Sequence, residues 1–212
     1  MITLDASVQE KEFLHFWLTK TAAVRCGWKP GELLRFRWYF TYRNERNQIK
    51  RLPLRRILEL LDLPYHILRK EDDGVLILFY HPETMTKTLR NPQNARFLER
   101  FGFPMNGTPA RQLERLQERF SKVTIPHEVG IFLGYPLKDV VGFIQNAPRV
   151  PVRGMWQVFG DPRESLRIME MYREIETRTE TILTLFDDLN LCLERIAGIT
   201  PEKWKEACSC KA

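Results

Sequence analysis

Four histidines, four cysteines and a scatter of carboxylates are the side chains in this sequence that could hold a metal or move a proton. His66, His81 and His127, with Glu83 or Glu128 beside them, offer imidazole and carboxylate ligands of the kind a divalent metal takes. His127 and Glu128 are adjacent in "PHEVGIF", but position 131 is Ile131, so the second histidine of a zinc-protease helix is missing. Cys208 and Cys210 form a Cys-x-Cys pair, two thiolates where a closed zinc site wants four ligands, and they read as an incidental tail. The Gly-rich phosphate loop, the dinucleotide fingerprint, the serine-hydrolase elbow and the Cys-x-x-Cys motif are all absent. No residue set therefore commits the chain to a reaction or to a cofactor.

Charge points to a different chemistry. Ten basic residues and two acidic ones lie between Arg25 and Arg56, in a chain whose net charge is only +6. Such a local excess favours anionic partners. Arg35, Arg37, Arg43, Lys50, Arg51 and Arg55 are the candidate contacts to nucleic acid. Within "LRFRWYFTYR", however, Leu34, Phe36, Trp38, Phe40 and Tyr42 share one parity and the arginines share the other. Successive side chains of a strand point to opposite faces, so the aromatics are expected in the core and the arginines in solvent. Only Tyr39 would then stand with the basic residues.

The elements that must position these residues follow from periodicity. Residues around 7 to 24 read as an amphipathic helix ended by "GWKPG". Residues 34–43 read as one strand, and Gln48 to Leu61 as a helix that Pro53 starts or kinks. Tyr65 to Lys70 and Val75 to Tyr80 read as a hairpin closed by "EDDG", with Gly74 available for positive φ. That hairpin would set His66 opposite Phe79 and bring His66 and His81 about 7 Å apart on one face. Pro82, Pro92 and Pro109 each stand at a first helical position. Pro126 and Pro136 punctuate two short helices, and Met155 to Phe159 reads as a last strand. Asp161-Pro162-Arg163-Glu164 starts a long final helix, whose apolar stripe resumes at Ile182, Leu185, Leu189, Leu193 and Ile196. The tail would fold back or pair with a second copy through residues 182–196. The expected fold is α+β, a small and mostly antiparallel sheet packed with several helices. The expected division is one domain over 1–175 and a helical extension with a frayed tail over 176–212.

The most distinctive text is "PHEVGIFLGYPLKDVVGFI" (126–144), followed by "GMWQVFGD" (154–161), with "GWKPGELL" (27–34) and "ILFYHPETM" (77–85) upstream. Together these blocks resemble a bacterial domain-of-unknown-function family, number three-seven-nine-three, over roughly residues 10 to 175. The resemblance implies a place near iron or redox metabolism. It also implies cysteines shortly before the "G-x-K-P" block and just before the Trp of "W-x-V-x-GD", where this chain has Thr21 and Met155. Thiol chemistry of that kind is not expected here.

Three readings follow. The first is an accessory or binding protein whose unidentified small ligand, or protein partner, meets His127, Glu128, Tyr135 and Trp156. The second is a nucleic-acid binder using the basic 25–56 segment. The third is a metal-dependent enzyme built on His66, His81 and His127. The N-terminus has no apolar run to serve as a signal peptide, and "VLILFY" is far shorter than the ~20 apolar residues a membrane span needs. With sparse, irregularly spaced cysteines, the cytoplasm is the expected compartment.

Overall fold

The computed structural model describes residues 8–43, 47–104, 107–152 and 154–199. The fold is α+β. Its centre is a three-stranded antiparallel sheet of order β1-β5-β4, formed by β1 (Gly31–Arg37), β4 (Tyr65–Glu71) and β5 (Gly74–Tyr80). The central strand explains the one continuous apolar run. Val75, Ile77 and Phe79 point to one face, Leu76, Leu78 and Tyr80 to the other, and each face is covered by helices. A strand buried on both sides loses the polar alternation of a half-buried one. On the first face lie α1 (Val8–Arg25), α2 (Leu54–Leu61), α8 (Arg163–Leu185) and α9 (Leu189–Ala197). On the second lie α3 (Pro82–Arg90), α4 (Pro92–Glu99), α5 (Pro109–Lys122), α6 (Val129–Phe132) and α7 (Leu137–Ile144). Phe36 and Phe79, with ring centroids 5.7 Å apart and no exposure, anchor the first cluster. Each such ring contributes about 2 kcal/mol through burial.

The three prolines at first helical positions behave as expected. His81, Asn91 and Thr108 cap α3, α4 and α5 by accepting from the amides of Thr84, Gln93 and Arg111 at 3.3, 3.0 and 3.4 Å. Each satisfies an amide that the helix leaves without a partner.

Several local expectations are corrected. The aromatic stretch is two strands, because the chain leaves the main sheet at Trp38 and continues as β2 (Tyr39–Arg43). β2 pairs with β3 (Ile49–Pro53) in a separate two-stranded ribbon, so residues 49–53 are strand and not helix. Phe40 and Tyr42 still pack toward the core while Tyr39 and Thr41 are exposed, and Trp38, at the break, is 38 % exposed. Gly74 does not adopt positive φ. It lies within β5, where a Cβ would collide with the Phe36 carbonyl of β1. A bulge at Leu68 shifts the hairpin register, so Tyr65 faces Phe79 and His66 faces Leu78. Residues 155–159 make no strand, only a single bridge between Arg149 and Phe159.

α8 runs unbroken across residue 175, and α9 folds back onto α1 and α8. Leu189, Cys192, Leu193 and Ile196 are buried there with Leu14 and Leu18. The apolar stripe at 182–196 thus faces this chain's own first helix, and of its members Leu185 alone, at 69 %, is mostly exposed. Among the described residues no helix is long and apolar enough to cross a membrane.

Candidate functional site

A cleft of about 530 Å³ opens where α3, α7 and α8 meet. Two glycines in the left-handed region make its walls. Gly27, with φ of 77°, ends α1 and turns Trp28 and Pro30 into one wall. Thr84 of α3 fastens that turn by donating its hydroxyl to the Gly27 carbonyl at 2.7 Å. Gly134, also with φ of 77°, lets the chain pass between Pro30 and Tyr172, since a Cβ there would come within 2.7 Å of the Pro30 ring and 2.9 Å of the Tyr172 hydroxyl. Both positions need a residue that adopts this conformation without steric cost.

The floor is aromatic. Tyr135 stacks on Trp156 with centroids 4.5 Å apart and planes 18° from parallel, and Trp156 leans on Tyr172 at 6.4 Å. Lys29 lies 5.0 Å from the Tyr172 ring centroid and pairs with Glu32 at 2.6 Å. Such a cation over a desolvated ring is worth about 1–2 kcal/mol. Burial, reinforced by the Glu32 charge, pushes the Tyr135 phenol up to about 12 and the Tyr172 phenol upward as well. Both therefore remain protonated donors across the physiological range.

Behind the floor, Asp139 fixes the aromatic residues. It is 2 % exposed and accepts from Trp156 Nε1 at 2.9 Å, the Phe159 amide at 2.9 Å, Ser165 Oγ at 2.6 Å and Lys138 Nζ at 2.7 Å. Burial raises its pKa, but the hydrogen bonds from Lys138, Ser165, Phe159 and Trp156 win and hold the carboxyl below its usual value. Lys138 is in turn bound to the Phe159 carbonyl and Ser165 Oγ. This network ties the first turn of α7 to residues 156–159 and to the start of α8.

Residues from three of the distinctive sequence blocks, 27–34, 77–85 and 126–144, line the cleft, and Trp156 of the fourth, 154–161, backs Tyr135 from behind. The family model described as "Protein of unknown function (DUF3793)" matches residues 18–190, which contain every one of these blocks. The chain belongs to the DUF3793 family. No curated protein and no solved structure matches it.

In this DUF3793 protein the candidate ligand residues separate. Tyr135 lines the cleft, and Trp156 supports it from behind. Glu128, 1 % exposed, is spent on an ion pair with Arg119 at 2.5 Å. His127 is exposed and meets the edge of Phe143 at 4.9 Å, outside the cleft lining. The three candidate metal ligands do not meet either. His66 bonds Gln117 at 3.2 Å, while His81 caps α3 and packs against Gly27. Among the described residues no group of three or more His, Cys, Asp or Glu is placed to hold a metal ion. Cys208 and Cys210 lie outside the described residues.

Among the described residues, two of the six candidate basic residues are ion-paired within the fold. Arg35 pairs with Glu71 at 2.7 Å and Asp73 at 2.6 Å, and Arg55 pairs with Glu59 at 2.9 Å. Arg51 lies 4.9 Å from the Tyr39 ring centroid on the outer face of the ribbon, whereas Lys50, paired with Tyr42, belongs to the opposite face. Arg37 is exposed at the end of β1. The backbone of Arg43 closes β2, and its side chain lies outside the described part.

Sequence reading passed over Lys29, Lys138, Asp139 and Tyr172. One signal was available. Asp139 is a lone carboxylate inside an apolar helix, and a buried charge of that kind requires partners.

Proposed function

We propose that this protein binds a small polar molecule in the cleft between α3, α7 and α8 and serves as a binding or accessory protein. The observation that carries this reading is that three of the family blocks line one cavity with polar walls, while Trp156 of the fourth backs its aromatic floor. Cavities of this size, with apolar rings and placed polar groups, suit small ligands. The ionisable groups nearest the floor are paired with one another, Lys29 with Glu32 and Lys138 with Asp139. That is the arrangement of a recognition surface rather than of a free acid and base. A link to iron or redox metabolism, implied by the family resemblance, would enter through the ligand. Burial pushes the Cys26 thiol up to about 12, and Cys192 is buried, so neither is poised as a reactive thiolate. The setting proposed is a bacterial cytoplasm.

A second reading keeps the nucleic-acid partner, because Trp38 and Tyr39 are 38 % and 52 % exposed beside Arg37 and Arg51. Exposed aromatics next to arginines can stack bases. The ion pairs of Arg35 and Arg55 count against it.

Native mass spectrometry of the full chain separates the two. The first reading expects a mass above 25.2 kDa that is lost when Thr88→Trp fills the cleft from α3. A clean apo mass, together with retention on single-stranded nucleic acid that falls with salt, would overturn it in favour of the second.

A further inference from the structure

The start of α7 lines the cleft with backbone amides. α7 starts at Pro136 with no side-chain cap. Among the described residues the amides of Leu137 and Lys138 have no backbone acceptor, whereas those of Asp139 and Val140 bond the Pro136 carbonyl. Pro136, Leu137 and Lys138 all line the cleft. A helix start of this kind carries a partial positive charge of about half a unit and presents free amides. Tyr172, 3 % exposed, lines the same cleft. Its hydroxyl has no hydrogen-bond partner among the described residues. Because Tyr172 lines the cleft, this hydroxyl is available to donate to a group bound there. Gly134 leaves this hydroxyl uncovered, since a Cβ there would sit 2.9 Å from it.

We propose that this corner binds the oxyanion of a small molecule, a carboxylate or a phosphate, with the Leu137 and Lys138 amides and the Tyr172 hydroxyl as donors. The inference rests on the cleft being a small-ligand site. The phenol stays protonated because burial and Glu32 oppose its ionisation, so it donates and does not repel an anion. Lys87, exposed on the α3 wall, supplies charge at the rim, whereas the Lys138 ammonium is already committed to Asp139. Glu164 lines the same cleft and opposes a second anionic group. The ligand class is therefore a small molecule with one oxyanion and an uncharged or cationic remainder.

The test is an amide-resolved NMR titration of the full chain with inorganic phosphate and, separately, with acetate. Saturable shifts at Leu137 and Lys138 are expected, and the tighter of the two ions names the group. Tyr172→Phe, which removes only the hydroxyl, is expected to weaken binding about tenfold, and Lys87→Gln, on the exposed surface, about threefold. Shifts that do not saturate, or that centre elsewhere, overturn the assignment, as does unchanged affinity in Tyr172→Phe. If the ions miss this corner while a cleft-dependent ligand is still retained, the oxyanion assignment alone falls. If neither is seen, the small-ligand reading falls with it.

Discussion

Asp139→Ala is expected to destabilise the protein by about 3–5 kcal/mol, the largest loss available from a single polar side chain here. The substitution strands Lys138, the Trp156 indole, the Phe159 amide and Ser165 Oγ around an empty position. An acceptor removed from buried donors costs the full desolvation of those donors, not only the bond. Asp139→Asn restores part of the loss, because an amide oxygen still accepts while its NH₂ meets donors. Urea denaturation measures both, and a fall in midpoint at unchanged slope identifies the effect as stability. The pH dependence has a defined sign. A carboxyl held below its ordinary value in the folded state favours folding above the unfolded-state value of about 3.9. That contribution fades as pH falls from there through the folded value. The difference between the wild type and Asp139→Asn should therefore narrow in acid. A gap that stays the same as the carboxylate is titrated to its acid form would show that the carboxylate charge is not what holds the network.

Gly74→Ala is expected to cost about 3 kcal/mol, far more than glycine replacement at an ordinary strand position. The added methyl would meet the Phe36 carbonyl carbon at 3.0 Å and the carbonyl oxygen closer still, and backbone cannot swing aside as a side chain can. Relief requires β1 to move away from β5, which loosens Phe36 against Phe79 in the first cluster. Gly160→Ala is the control. Gly160 has φ of 63°, and a methyl added there would meet nothing within 4 Å, so only the conformational cost of about 1–2 kcal/mol applies. Thermal unfolding of the two variants decides the matter. Equal losses would mean that glycine at 74 serves chain flexibility rather than close approach.

How much of this was legible depends on whether a signal was local. The Pro82, Pro92 and Pro109 helix starts need only their own caps and were readable. The β5 run was readable because six consecutive apolar residues leave few alternatives. Residues 49–53 look helical in sequence because the apolar spacing of the following helix extends backwards through Leu52. Pro53 instead ends a strand in a two-stranded ribbon, where a missing donor is tolerated. Trp38 kept its place in the alternation yet left the core, because the strand changes partner there. The Leu68 bulge has no sequence mark at all, and it moved His66 out of the expected register. The cleft was harder still. Its walls come from residues 28–30, 84–94, 134–138 and 164–172, and only the packed fold joins them. Tyr135 and Trp156 were found because they stand in distinctive blocks. Tyr172 looked like any other apolar-face residue of a long helix.

The most direct test of the central claim is a crystal structure of the full chain purified with whatever it retains from its host. The account predicts density for a small molecule inside the cleft, in contact with Tyr135 and the Tyr172 hydroxyl, with its oxyanion at the start of α7. A cleft holding only water, with ligand density instead over Trp38 and Tyr39, would contradict it.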